Sequence, residues 1–242
     1  MKFADYAHDY VPQIQRAIPL VGNRHDAFMQ EKAVQLRRLA QTHLGGTEHV
    51  SALDVGCGIG LMERALAGQF RRSVGVDIEV EVVDQARQAV PESEFIHYDG
   101  KRLPFADNEF DLTFAVCVFH HVPIELRCAL AKEMARVTSP NGLVVIIEHN
   151  PLNPLTRLIV SRCEFDRDAV LLGSRESRDL LCGVGLEQPH VKQILYFPWR
   201  TRFWTSAESM ISLLPFGAQY CASATKPGPK TVRSSARCSV TA

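Results

Sequence analysis

Five short, almost continuously apolar runs alternate with stretches of helical period between residues 51 and 149, and no other feature restricts the fold as much. The runs are SALDVG (51–56), RSVGVDI (72–78), EFIHY (94–98), DLTFAVCVF (111–119) and LVVIIEH (143–149). GLMERALAGQF, EVEVVDQARQAV and PIELRCALAKEMARV supply helices between them, and a turn-rich KRLPFADNEF follows the third run. Strands apolar on both faces and joined by helices form a parallel sheet covered on both sides. The pattern therefore predicts a doubly wound α/β domain. Ahead of it, EKAVQLRRLAQTHLGG reads as an amphipathic helix closed by Gly45 and Gly46, so residues 1–46 are expected to form a helical cap.

SPNG (139–142) is expected to be a turn, and the Asn-Pro pairs of NPLNPLTRLIV to lead the chain out of the sheet. SRESRDLLCGVGLE reads as a helix capped by Ser174, with Gly183 and Gly185 at its end. HVKQILYF (190–197) and GAQYCASAT (217–225) read as strands that pair antiparallel. The expected domain spans 47–225, with an aromatic-rich lid at 198–216 and a disordered basic tail at 226–242.

Composition removes several classes of function. Lys plus Arg and Asp plus Glu both number 27 in the 242 residues, so no net field gathers nucleic acid. Apolar runs such as Leu143 to Ile147 fall far short of the roughly 18 residues of a membrane span. The first residues, MKFADYAHDYVPQ, lack the apolar core of a secretory signal. Seven scattered cysteines without a CxxC pair suit reduced thiols in a cytoplasmic protein and argue against a zinc site. No metal is expected.

The segment LDVGCGIGLMERAL carries the most chemistry. A strand ends at Val55, glycines follow at 56, 58 and 60, and a helix begins. Glycines there let the chain turn sharply and let a ligand reach main-chain atoms. A dinucleotide site wants G-x-G-x-x-G, with a pyrophosphate at the helix start. Here Leu61 stands where that fingerprint needs its last glycine, and Asp54 sets a negative charge where a pyrophosphate would lie. An ammonium would be attracted by the same carboxylate. S-adenosylmethionine offers an ammonium, a sulfonium and no phosphate, so it fits better. An NAD(P)-dependent oxidoreductase is the disfavoured alternative.

VGVDIE, HYDGKRLPFADNEFDLTFAVCVFHHV and RVTSPNGLVVIIEHNP follow the glycine loop in order across residues 51–151. With these motifs the chain resembles the class I S-adenosylmethionine-dependent methyltransferases, in the group that includes quinone- and small-molecule-modifying enzymes. The resemblance implies a seven-stranded, mostly parallel, Rossmann-like sheet whose last strand is antiparallel. It implies that the main chain of Gly56, Cys57, Gly58 and Gly60 cradles the methionine end of the cofactor, with Asp54 orienting its ammonium. Asp77 would accept the ribose hydroxyls, Ile78 would pack on the adenine, and Asp99 would receive the adenine amino group beside the amide of Gly100. Main chain at Val116 and Cys117 would lie along the aminoacyl portion. Cys57 is expected to be a small residue in a tight loop, not a nucleophile.

Methyl transfer to a hydroxyl or carbon also requires a proton to leave, and imidazole titrates near working pH. His120 and His121, after the fourth strand, and His149, after the fifth, are the candidate catalytic bases, with Glu148 as an alternative base or orienting carboxylate. The expected reaction moves a methyl group to an O or C atom of a small molecule, a lipid or a glycan precursor. The acceptor pocket would draw on Tyr6 and Tyr10 and on the lid, where Arg200 and Arg202 accompany Trp199 and Trp204. The acids of Cys163–Asp168 are expected to serve a helix N-terminus and not a metal. A cofactor-binding partner subunit without catalysis is the other alternative. A monomer or homodimer is expected.

Overall fold

The computed structural model describes residues 25–163, 166–195 and 216–228. Helix α1 (His25–His43) leads into strand β1 (Ser51–Val55), the short α2 (Leu61–Ala65), β2 (Arg72–Asp77), α3 (Val80–Ala89) and β3 (Glu94–His97). Strand β4 (Phe110–Val116), helix α4 (Ile124–Val137) and strand β5 (Thr138–His149) follow. Helices α5 (Pro154–Val160) and α6 (Ser174–Gly183) then precede β6 (Glu187–Ile194) and β7 (Gln219–Thr225). The strands form one seven-stranded sheet in the order β3-β2-β1-β4-β5-β7-β6. β7 alone runs antiparallel, pairing on one side with β5 and on the other with β6.

Alternation along the strands feeds two apolar layers. Leu53, Val55, Val74, Val76, Val144 and Ile146 face Ala131 and Met134 of α4 and Leu181 of α6. Ala52, Leu112, Phe114, Val145 and Ile147 face Met29, Ala33 and Leu36 of α1 and Met62 and Leu66 beyond the glycine loop. Strand residues buried from both sides are what a covered sheet requires. The seven-stranded doubly wound architecture is the one expected.

Four local expectations are corrected. Helix α2 stops at Ala65 because Gly68 takes the chain into a left-handed turn (φ 66°). SPNG is not a turn but a bulge within β5: the register moves from Phe110 opposite Thr138 to Leu112 opposite Leu143, and Asn141 takes φ 64°. The residue preceding α6 is Gly173, whose carbonyl accepts from the Ser177 amide at 3.0 Å, so Ser174 is the first helical residue and makes no capping bond. Lys226 belongs to the fold. Its ammonium donates to the carbonyls of Ala135, Arg136 and Thr138 and to Asn108 Oδ1, covering the open end of α4. Residues 1–24, the lid up to 215 with Arg200 and Arg202, and the tail from 229 lie outside the described residues, as do Tyr6 and Tyr10. Among the described residues no helix is long and apolar enough to cross a membrane.

Candidate functional site

The loops after β1, β2, β4 and β5 all leave the same edge of the sheet, where open α/β sheets hold ligands. Gly56 takes φ 80°, and the amides of Gly56 and Cys57 donate to Val76 O at 2.8 and 3.0 Å, so the glycine loop folds back on the end of β2. A Cβ at Gly56 would lie 2.5 Å from Val118 Cγ2, which restricts the position to glycine. Gly60 also takes a left-handed conformation (φ 76°) and sends its amide to Cys57 O at 3.1 Å. Cys57 is buried, and burial pushes its thiol well above the usual range, which leaves it inert as a nucleophile.

Asp77 closes the loop. Its Oδ2 accepts from the Gly58 amide at 3.0 Å and its Oδ1 from the Glu79 amide at 3.2 Å, while burial raises its carboxyl pKa. Ile78 is exposed, and a Cβ on Gly100 would sit 3.3 Å from its Cγ2, so the two residues lie side by side next to Asp77. Asp99 is at this edge but its Oδ1 accepts from the amides of Lys101 and Arg102 at 2.9 and 3.3 Å, which hold its carboxyl below the ordinary range. That oxygen serves the turn.

Beneath the loop lies an acidic floor. Asp54 is 2% exposed and Glu63, from α2, is 1% exposed. As carboxylates, Asp54 Oδ1 and both oxygens of Glu63 have no hydrogen-bond donor. Burial, followed by the neighbouring Glu63 and Asp77 charges, raises the Asp54 pKa well above the usual range, and burial lifts Glu63 to about 7. Lys32 reaches in from α1 and contacts Cys117 Sγ at 3.5 Å. Cys117 follows Val116 at the end of β4 in a left-handed conformation (φ 58°), with its amide donating to Ile147 O. Against the cost of burial, the Lys32 and His149 charges bring its thiol down to about 7. Lys32 and Glu63 were not singled out in the sequence. An isolated Glu in the first turn of a helix reads as an ordinary solvated charge.

The histidines converge on a second cluster. His120 Nδ1 lies 2.6 Å from Glu148 Oε2, and His120 Nε2 lies 3.4 Å from Asp166 Oδ1. Against the cost of burial, those two carboxylates raise His120 to about 10, and the imidazolium holds Glu148 down at about 2. The expectation of a base at His120 is corrected on this ground: it is 2% exposed and held between two carboxylates that favour its charged form. Glu148 is likewise buried, and its other oxygen accepts from the Phe119 amide at 2.7 Å, so it orients and does not titrate as a base. His121 is different. Its side chain is 40% exposed and its Nε2 lies 3.3 Å from Asp166 Oδ1. His149 is partly buried, 5.1 Å from His120 by ring centroids, with Nδ1 3.3 Å from Gln219 Nε2. Asp166, read from the sequence as a helix-start acid, instead faces two histidines. His120, His121 and Asp166 offer three ligand atoms within 4.8 Å of one another, a spacing that a divalent ion can also use.

Residues 53–146 match the family model described as a methyltransferase domain. This stretch, about two fifths of the chain, is similar to methyltransferase domains. The order β3-β2-β1-β4-β5-β7-β6, with β7 reversed, agrees with that assignment, whereas dinucleotide-binding sheets run 3-2-1-4-5-6 in parallel. The chain is 33% identical over 131 residues to 2-methyl-6-phytyl-1,4-hydroquinone methyltransferase of Synechocystis, a match covering 51% of this chain and 40% of that one. It is 29% identical over 148 residues to demethylmenaquinone methyltransferase of Staphylococcus aureus, covering 56% and 60%. The chain thus spans about two fifths to three fifths of the length of these curated relatives.

Solved structures share the fold at lower identity. A methyltransferase from Thermotoga maritima superposes with a TM-score of 0.66 at 19% identity, covering 93% of this chain and 98% of that one. Phosphoethanolamine N-methyltransferase 2 of Haemonchus contortus, solved with S-adenosyl-L-methionine, gives 0.61 at 16% identity, covering 94% and 60%.

Proposed function

We propose that this protein transfers a methyl group from S-adenosylmethionine to an oxygen or carbon atom of a small hydroxylated acceptor, with a hydroquinone-like ring as the favoured class. The observation that carries the reading is Asp54 Oδ1, a buried acceptor without a hydrogen-bond partner beneath the glycine loop. A pyrophosphate would be repelled there and an ammonium held. Relatives named as a hydroquinone and a demethylmenaquinone methyltransferase support the acceptor class.

In this reading the left-handed turns at Gly56, Gly58 and Gly60 shape the main chain that holds the methionine end. Asp77 offers the ribose its remaining lone pairs, and Ile78 with Gly100 flanks the adenine. The bound cofactor supplies an electrophilic sulfonium methyl group. His121 directs Nε2 at Asp166, which leaves Nδ1 to take the proton released by the acceptor. His120 and Glu148 act behind it as a fixed ion pair that holds Asp166 in place. His149, partly buried and next to Gln219, is the second imidazole at the rim.

Calorimetric titration with S-adenosylhomocysteine and with NADH tests the cofactor. The first should bind and the second should not; the reverse outcome would discard the reading. Asp77→Ala should weaken S-adenosylhomocysteine binding by about 1.5–3 kcal/mol, or roughly 10- to 150-fold, the scale of hydrogen bonds to a charged group. Unchanged affinity would remove Asp77 from the ribose site.

A further inference from the structure

We infer that Glu63 is a second receptor, beside Asp54, for the ammonium group at the cofactor's methionine end, and that the two carboxyls share a proton which ammonium binding displaces. The inference rests on the S-adenosylmethionine reading of the glycine loop. Asp54 is the penultimate residue of the strand before that loop and Glu63 lies three residues after it, so the two acids flank the bend from opposite sides. Both are buried, they face one another, and three of their four oxygens lack a donor.

Buried carboxylate oxygens without donors are costly, and two adjacent carboxyls in one dry site cannot both ionise unless a positive charge joins them. The groups facing Glu63 define what is available. They are Asp54 on β1 and Cys57 in the loop, with Asp77 at the end of β2 and Lys32 on α1 acting on Asp54. Lys32 is the one cation among them, and its ammonium makes its contacts with Met29 Sδ at 3.9 Å and Cys117 Sγ at 3.5 Å. A proton shared between Asp54 and Glu63 therefore satisfies the pair in the free protein. A primary ammonium brings three N–H donors and a full positive charge, matching the three unpartnered oxygens. Its arrival favours both carboxylates, and the shared proton leaves to solvent. The sign follows: affinity for an ammonium-bearing ligand rises as pH is raised through about 7, where burial places Glu63.

Calorimetry in two buffers of different ionisation enthalpy at pH 6.5 counts the protons released. The probes are S-adenosylhomocysteine, which carries the ammonium, and 5′-methylthioadenosine, which keeps the nucleoside and lacks the amino-acid end. The wild type should release up to about one proton with the first probe and none with the second. Glu63→Gln, isosteric with the protonated acid, should bind S-adenosylhomocysteine roughly tenfold more weakly with no proton release. It should bind 5′-methylthioadenosine like the wild type, which also reports an intact fold. Wild-type affinity and proton count in Glu63→Gln would overturn the role of Glu63 while leaving the cofactor reading standing. Failure of the wild type to bind either nucleoside would end the cofactor reading and this inference together.

Discussion

Replacing Glu148 by Ala is expected to cost about 3–5 kcal/mol of folding stability, the range for breaking a buried ion pair from one side. Glu148 has three partners, the weakest being the His149 amide 3.3 Å from Oε2. Oε2 meets His120 Nδ1 at 2.6 Å and Oε1 accepts from the Phe119 amide at 2.7 Å. Its loss leaves His120 with the more distant Asp166 alone and strands a buried amide. For a domain of this size, 3 kcal/mol corresponds to a fall of roughly 6–12 °C in Tm. Glu148→Gln should cost less, because its carbonyl can still serve the Phe119 amide.

The same pair predicts a pH profile. His120 is raised to about 10, so its contribution is complete below about 6.5 and is lost as pH rises through 10. Glu148 is lowered to about 2, so its contribution is complete above about 4.5 and is lost as pH falls through 2. Urea unfolding should therefore show the wild type gaining most over Glu148→Ala between about pH 4.5 and 6.5. A constant difference from pH 5 to 10 would mean that His120 is neutral in the native protein.

Replacing His121 by Ala should lower methyl transfer by about 10²- to 10⁴-fold, the usual contribution of a positioned base, with S-adenosylhomocysteine affinity unchanged. The side chain is 40% exposed, so the fold should tolerate its loss. Asp166→Asn, which keeps the shape and removes the charge facing His121 Nε2, should reduce turnover by a smaller factor. His149→Ala is the control at the same rim. Should His149→Ala abolish turnover while His121→Ala leaves it intact, the base is His149. An acceptor already ionised at the assay pH would make neither substitution costly, so the acceptor pKa should be varied in the series.

The sheet and the glycine loop were legible because each rests on a local pattern. Apolar runs of strand length recur at helix-length spacing, and three glycines close together mark a bend that only glycine enters easily. The failures share another cause. SPNG has the composition of a turn, yet Asn141 and Gly142 are bonded to Lys226, 85 and 84 residues along the chain, and this holds them inside β5 as a bulge. Lys226 reads as the first charge of a polar tail, but four oxygens at the end of α4 bring it into the fold. Asp166 and Lys32 likewise take their meaning from partners far away in sequence: His120 and His121 for the first, Cys117 and Asp54 for the second. His120 and His121 are adjacent and chemically identical in the sequence. Only the chain around them makes one a buried cation and leaves the other open at the rim.

The reversed strand imposes an order on biosynthesis. In the sheet β6 pairs with β7 alone, and β7 is also the neighbour of β5. While residues 219–225 remain inside the ribosome, the emerging chain has five joined strands ending at β5, an exposed apolar flank, and a sixth strand with nothing to bond. The architecture can close only after Thr225 has been released, so a nascent chain stalled before that point presents a sticky, unfinished edge to chaperones.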